Sequence, residues 1–195
     1  MDLEMNSGQH AKKQPSRAGS LLLSIVIIVA IVAAVTFFLR MFVFVPYEIP
    51  SGSMEETIIP GDMVFSEKIS YYMREPEPND IVTFVDPEDP SRTLIKRVIA
   101  VAGDTVDLDD GFVSVNGEIL VEPYTLGKES WPLARTAPNV EVDFPYTVPE
   151  GHIWVMGDNR TSSQDSRYFG AVPISSITGR AALIYWPFNH FGLLS

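Results

Sequence analysis

The segment TLIKRVIAVAGDTVDLDDGFVSVNGEIL, residues 93–120, alternates short β-type runs with turn signals. Thr93–Ala102, Thr105–Leu108, Phe112–Val115 and Glu118–Leu120 are rich in Val, Ile, Leu and Thr, the residues that suit a pleated, half-buried surface. Asp110-Gly111 and Asn116-Gly117 fall between such runs. Each pair tolerates the positive φ angles of a two-residue hairpin turn. The same texture continues outward, with further strands expected at Met63–Ser66, Ile81–Val85, His152–Met156 and Arg180–Tyr185. No helical period lasts beyond about two turns after residue 41. The proline-rich stretches 86–92, 122–149 and 187–195 read as loops or edges. The stretch from Pro123 to Pro149 is long for a loop and is expected to carry a small hairpin. Residues 41–195 thus form a mainly β, mostly antiparallel domain large enough for a real core.

The first 40 residues differ. They carry a net charge of +2, against −13 for residues 41–195. From Ala18 to Leu39 there is no charged residue, and SLLLSIVIIVAIVAAVTFFL is almost wholly apolar. As a helix this run is about 33 Å long, enough for a hydrocarbon core of about 30 Å. A cleaved secretory signal is the competing reading, but its apolar core is shorter and ends at small residues. This run passes Ala30, Ala33 and Ala34 and continues through Phe37, Phe38 and Leu39, so we read a retained anchor. Lys12, Lys13 and Arg17 precede it and Arg40 follows, which puts the N-terminus in the cytoplasm and residues 41–195 outside. The expected organisation is a polar tail over 1–17, a single transmembrane helix over 18–40 and an exterior domain over 41–195.

Composition excludes several chemistries. The chain has no Cys, so a thiol nucleophile, a disulfide framework and Cys-ligated metal are ruled out. A pI near 4.6 argues against nucleic acid as a partner. Only His10, His152 and His190 are present, without H-E-x-x-H spacing, and neither G-x-S-x-G nor S-x-x-K occurs. No metal or cofactor is expected.

Three segments remain that carry chemistry. Pro50-Ser51-Gly52-Ser53-Met54 is a tight turn exposing two hydroxyls, or simply an ordinary turn. In Thr93–Ala102, alternation puts Leu94, Lys96, Val98 and Ala100 on one face and Ile95, Arg97, Ile99 and Val101 on the other. One of the two cations then points among apolar side chains. A lysine so placed loses charge and becomes a general base; alternatively both cations reach water along a half-exposed strand. Gly157–Gly170 packs Asp158, Asn159, Arg160, Ser163, Asp165 and Arg167 together, as a self-satisfied polar loop or as a source of hydroxyls for a buried lysine. Asn159-Arg160-Thr161 matches a glycosylation sequon but is embedded in this loop.

Together these segments resemble bacterial type I signal peptidases, serine proteases that remove signal peptides from exported preproteins. The resemblance covers residues 20–186. PSGSM at 50–54 with Thr57-Ile58, Gly61–Phe65 with Lys68, Lys96–Ala100 with Gly103-Asp104, and GDNR at 157–160 with Ser163 and Asp165–Arg167 follow the family's order. The resemblance implies that Ser53 is the nucleophile and Lys96 the general base. It implies an oxyanion hole from the Ser51 hydroxyl and the Ser53 N–H, Ser163 as the residue orienting the lysine, and Asp165–Arg167 as a structural ion pair. It implies a β-sheet core of the kind also seen in LexA-type self-cleaving proteins. The partners it implies are preprotein signal peptides, the lipid bilayer and proximity to the export machinery, at a bacterial plasma membrane. Thr161 stands where the family often has Asp. Lysine in the base position disfavours the endoplasmic-reticulum type.

Met41–Pro46 continues the apolar character into the serine turn and is expected to form an edge strand that pairs with substrate. Ile49, Pro50 and Ile95 are expected to line shallow pockets for small side chains. The competing functions are a membrane-tethered β-domain that binds a partner, and an inactive homologue of the peptidases.

Overall fold

A computed structural model describes residues 17–194; the polar tail and His10 lie outside the described residues. Helix α1 (Arg17–Phe42) covers the apolar run in which an anchor is expected. Its stretch Gly19–Leu39 has a mean hydropathy of 3.1 and exposes its side chains throughout. A helix apolar on every side is suited to lipid, and this one is long enough to cross a bilayer. The chain divides into two compact units between Leu39 and Arg40.

The second unit is built from twelve short strands: β1 (Phe44–Glu48), β2 (Met63–Glu67), β3 (Ile81–Val85), β4 (Thr93–Val101), β5 (Thr105–Asp109), β6 (Phe112–Val115), β7 (Glu118–Ile119), β8 (Tyr146–Thr147), β9 (His152–Met156), β10 (Val172–Pro173), β11 (Ile177–Trp186) and β12 (Gly192–Leu193). Single-turn helices α2 (Ser70–Met73) and α3 (Ser166–Phe169) interrupt them. All pairings are antiparallel. One sheet runs β1-β2-β11-β3-β4-β9-β10, with β12 on β11, and a second runs β7-β6-β5-β8. All eight predicted strands are present.

The second sheet follows from its turns. Asp110 and Gly111 have φ of 50° and 82°, and Asn116 and Gly117 have 55° and 83°. Both hairpin turns therefore use the left-handed backbone that Asn, Asp and Gly accept at least cost. Three apolar clusters fill the domain. Ile49, Met54, Ile58, Val64 and Ile95 form one, Val82, Phe84, Val98, Ile153 and Val155 a second, and Ile99, Ala100, Val106 and Trp154 a third.

Two expectations are corrected. Ala100 does not stay on the face of Leu94 and Val98. A register shift between Val98 and Ala100, where β4 meets β9, turns it into the third cluster beside Ile99. The stretch 123–149 forms no hairpin of its own. Its one strand, β8, pairs with β5, and Pro132, Pro138, Pro145 and Pro149 keep the rest irregular.

Candidate active site

β4 carries the base candidate. The register pairs β9 with β4 only from Arg97 onward, because β9 ends at Met156. Thr93–Lys96 thus has a free edge on that side. There Gly157 and Asp158 leave the sheet and begin the polar loop. The first sheet curls until the end of β1 and this free edge share a cavity of about 70 Å³, lined by Ile49, Pro50, Ser51, Ser53, Ile95 and Lys96.

Lys96 is 3% exposed. Its Nζ lies 2.7 Å from Ser53 Oγ and donates to the Ile95 carbonyl at 2.9 Å. No carboxylate lies within ion-pair reach of it among the described residues. Burial therefore dominates and pulls its ammonium from 10.5 down to about 8, against the more distant pull of Asp165, Asp158 and Asp86. The expectation of a lysine among apolar side chains is met. The alternative, both cations reaching water, is not, since Arg97 is only 2% exposed.

The serine turn is held from the polar loop. Asn159 N–H donates to the Ser53 carbonyl at 3.1 Å, and Asn159 Nδ2 donates to the Gly52 carbonyl at 2.9 Å. Thr57 Oγ1 donates to Asp158, whose carboxylate also receives Arg97 Nε and Nη2 at 2.9 and 2.8 Å. Gly157 must be glycine for space: a Cβ there would sit 2.3 Å from both the Ser53 carbonyl and Ser163 Oγ. Asp165, wholly buried, takes Arg167 Nε and Nη2 at 2.9 Å each and the Gly157 N–H at 3.0 Å. Burial opposes its charge, but these donors hold its carboxyl below the usual range.

The predicted residues thus converge, with two exceptions in detail. Ser163 Oγ is buried beside Gly157, where its hydroxyl helps hold the Asp165 carboxyl low, and among the described residues it makes no close hydrogen bond, to Lys96 or otherwise. Ser51 is exposed at the cavity rim. The sequence placed Thr57, Arg97, Asp158 and Asn159 in its motifs but gave none of them these partners. Their partners are distant in the chain, and residue type alone does not reveal them. His190, which had no context, pairs through Nδ1 with buried Asp62 at 2.8 Å. Ser53 instead faces Lys96, so the described residues hold no Ser–His dyad at this turn.

Comparisons with known proteins name a family. The family model described as "Signal peptidase, peptidase S26" matches residues 20–186. The chain is 38% identical over 175 residues to the "Probable signal peptidase I-1" of Synechocystis sp., covering 86% of this chain and 83% of that one. It is 33% identical over 216 residues to the "Signal peptidase I" of Mycobacterium tuberculosis, covering 86% and 74%. It is 39% identical over 152 residues to "Thylakoidal processing peptidase 1, chloroplastic" of Arabidopsis thaliana, covering 73% and 42%. A mainly antiparallel β domain that follows an apolar helix in the chain thus has a family: this chain belongs to the signal peptidases, peptidase family S26.

Proposed function

We propose that the chain is a membrane-anchored serine endopeptidase that removes N-terminal signal peptides from exported preproteins, with Ser53 as nucleophile and Lys96 as general base. The observation that carries this reading is the 2.7 Å approach of a buried, unpaired lysine amine to Ser53 Oγ. Neutral Lys96 takes the Ser53 proton as Oγ attacks the scissile carbonyl. The tetrahedral oxyanion is received by the Ser53 N–H and the Ser51 hydroxyl, each worth about 3 kcal/mol in comparable sites. The ammonium then protonates the leaving amine. Water, deprotonated by Lys96, hydrolyses the acyl-enzyme. A protonated lysine has three N–H bonds. Ser53 and the Ile95 carbonyl account for two, and the Ser163 hydroxyl oxygen is the acceptor for the third.

The substrate enters as a strand against the free edge of β4 at Thr93–Lys96, with β1 opposite. Ile49, Pro50 and Ile95 leave room for methyl-sized groups in a cavity of about 70 Å³. Ile95→Ala is expected to admit larger side chains before the cut, read by mass spectrometry of the products; an unchanged pattern removes the pocket assignment. The anchor is α1, with the N-terminus cytoplasmic and the β domain on the outer face of the plasma membrane. That orientation predicts protease sensitivity of residues 41–195 in spheroplasts but not in inverted vesicles.

The test of the reading is cleavage of a labelled preprotein by the detergent-solubilised chain beside Ser53→Ala and Lys96→Ala. Cleavage after a small residue by the parent, with both variants folded and inactive, supports it. Variants as active as the parent overturn the dyad. A parent that cuts none of the preproteins tested makes an inactive homologue or a tethered binding domain the better reading.

A further inference from the structure

From Arg74 onward, the arginines of the acidic domain follow one rule with one exception. Arg74, Arg92, Arg97, Arg160, Arg167 and Arg180 each bond a carboxylate. Among the described residues Arg135 bonds none, although the surrounding 41–195 segment carries 23 acidic residues. It is exposed, and it lines a cleft of about 710 Å³ that reaches Ser53 and Lys96. An acidic domain that leaves a cation free beside its nucleophile has a place for an anion brought by something else.

The location says which part of the substrate brings it. The small cavity at Ile49, Pro50 and Ile95 and this larger cleft share Ser51, Ser53, Leu94 and Lys96 and then diverge. If residues before the scissile bond occupy the first, those after it run along the second, past Leu133–Arg135 and Gln164. The wall bearing Arg135 is fixed at both ends. The Trp131 carbonyl accepts from Arg167 Nη1 at 3.2 Å, and the Ala137 N–H donates to the Tyr168 carbonyl at 2.8 Å. Both anchors belong to the segment that also holds Gly157 through Asp165. The guanidinium therefore hangs from a wall set in register with the nucleophile. Across the cleft, Asp86 is engaged by Arg92, while Glu88 is exposed and repels an incoming carboxylate.

We infer that Arg135 is a specificity-determining residue on the leaving-group side, pairing with an Asp or Glu carboxylate among the first residues of the mature chain. The inference rests on the peptidase reading above. A planar guanidinium pairs bidentately with such a carboxylate, and an exposed pair of this kind shifts a rate only a few-fold.

The test uses three preproteins identical except for Glu, Gln or Lys at the second position after the cut, with kcat/KM measured for the full chain and for Arg135→Ala and Arg135→Glu. The parent is expected to prefer Glu over Lys by about three- to tenfold at low salt, less at high salt. Arg135→Ala is expected to flatten the order and Arg135→Glu to reverse it, with the Gln substrate cut at about the parental rate by all three. The same order of preference in parent and Arg135→Glu overturns the inference while leaving the peptidase standing. Failure of the parent to cut even the Gln substrate removes the peptidase reading, and this one with it.

Discussion

The two sides of β4 solve one problem in opposite ways. Lys96 and Arg97 are consecutive cations, each almost wholly buried, and alternation sends them to opposite faces. On the Arg97 side the charge is fully met. Asp158 takes two N–H bonds, the Asn79 carbonyl a third, and the Tyr124 ring lies 4.0 Å from the guanidinium carbon. On the Lys96 side, among the described residues, the amine meets a hydroxyl and a carbonyl and no carboxylate. A buried pair keeps its charge, whereas a buried lysine without a carboxylate loses its proton near neutral pH. One strand thus supplies a buried strut and an amine whose charge burial disfavours, and the difference lies in what the Gly157–Gly170 loop delivers to each face.

The comparison breaks most completely if both sides are made alike. Lys96→Arg puts a cation that does not deprotonate in the base position. Activity is expected to fall about 10⁴-fold, or about 5.5 kcal/mol on the barrier, while circular dichroism shows a folded domain. Residual activity within tenfold of the parent sinks the base assignment.

The strut side breaks in stability rather than chemistry. Asp158→Asn leaves the Arg97 guanidinium buried without its countercharge, a loss of about 3–5 kcal/mol in comparable sites. For a domain of this size that lowers Tm by about 10 °C. Activity should fall too, since Thr57 and Asn159 tie the same loop to the serine turn. An unchanged Tm shows that the pair carries no net weight.

How much of this contrast is visible in the chain itself follows from range. The DG and NG turns fix the hairpins of the second sheet locally, and period-two alternation puts one of Lys96 and Arg97 inside. That both are inside is invisible, because Asp158 arrives from 61 residues away. The Asp62–His190 pair spans 128 residues and escapes for the same reason. The register shift after Val98 that moves Ala100 answers to the partner strand β9, not to β4's own residues. The stretch 123–149 lacks a local signal strong enough to say what it pairs with. The ordered motifs named the family and its dyad candidates. They did not show that Gly157 is needed for clearance against Ser53.

The base side makes the opposite stability prediction from the strut. In the unfolded chain Lys96 titrates at its ordinary 10.5, and in the folded domain at about 8. Between those values the unfolded chain binds a proton that the folded one lacks, so stability rises with pH across that window. Below about 8 the full penalty of burying the charge is present, about 3 kcal/mol. Lys96→Met removes that penalty and loses about 1 kcal/mol of hydrogen bonding, so at pH 7 the inactive variant is expected to be about 2 kcal/mol more stable than the parent. The advantage should shrink as pH rises from 8 toward 10.5. A gap constant across that range in paired denaturation curves shows that Lys96 is not depressed.

The finest distinction concerns the third N–H of the ammonium. If Ser163 receives it, the hydroxyl favours the charged form, and its removal lowers the lysine value further. Ser163→Ala is therefore expected to lower the plateau of kcat about tenfold and to move the acid limb of the kcat/KM profile below its parental midpoint near 8. A packing role alone would lower Tm and leave that midpoint in place. The Arg97 side is the internal control. Tyr124→Phe, which preserves the ring over the guanidinium, should leave the midpoint where the parent has it. A midpoint that shifts in the Tyr124 variant and not in the Ser163 variant would place the sensitivity on the wrong face of β4 and overturn the division of labour between its two cations.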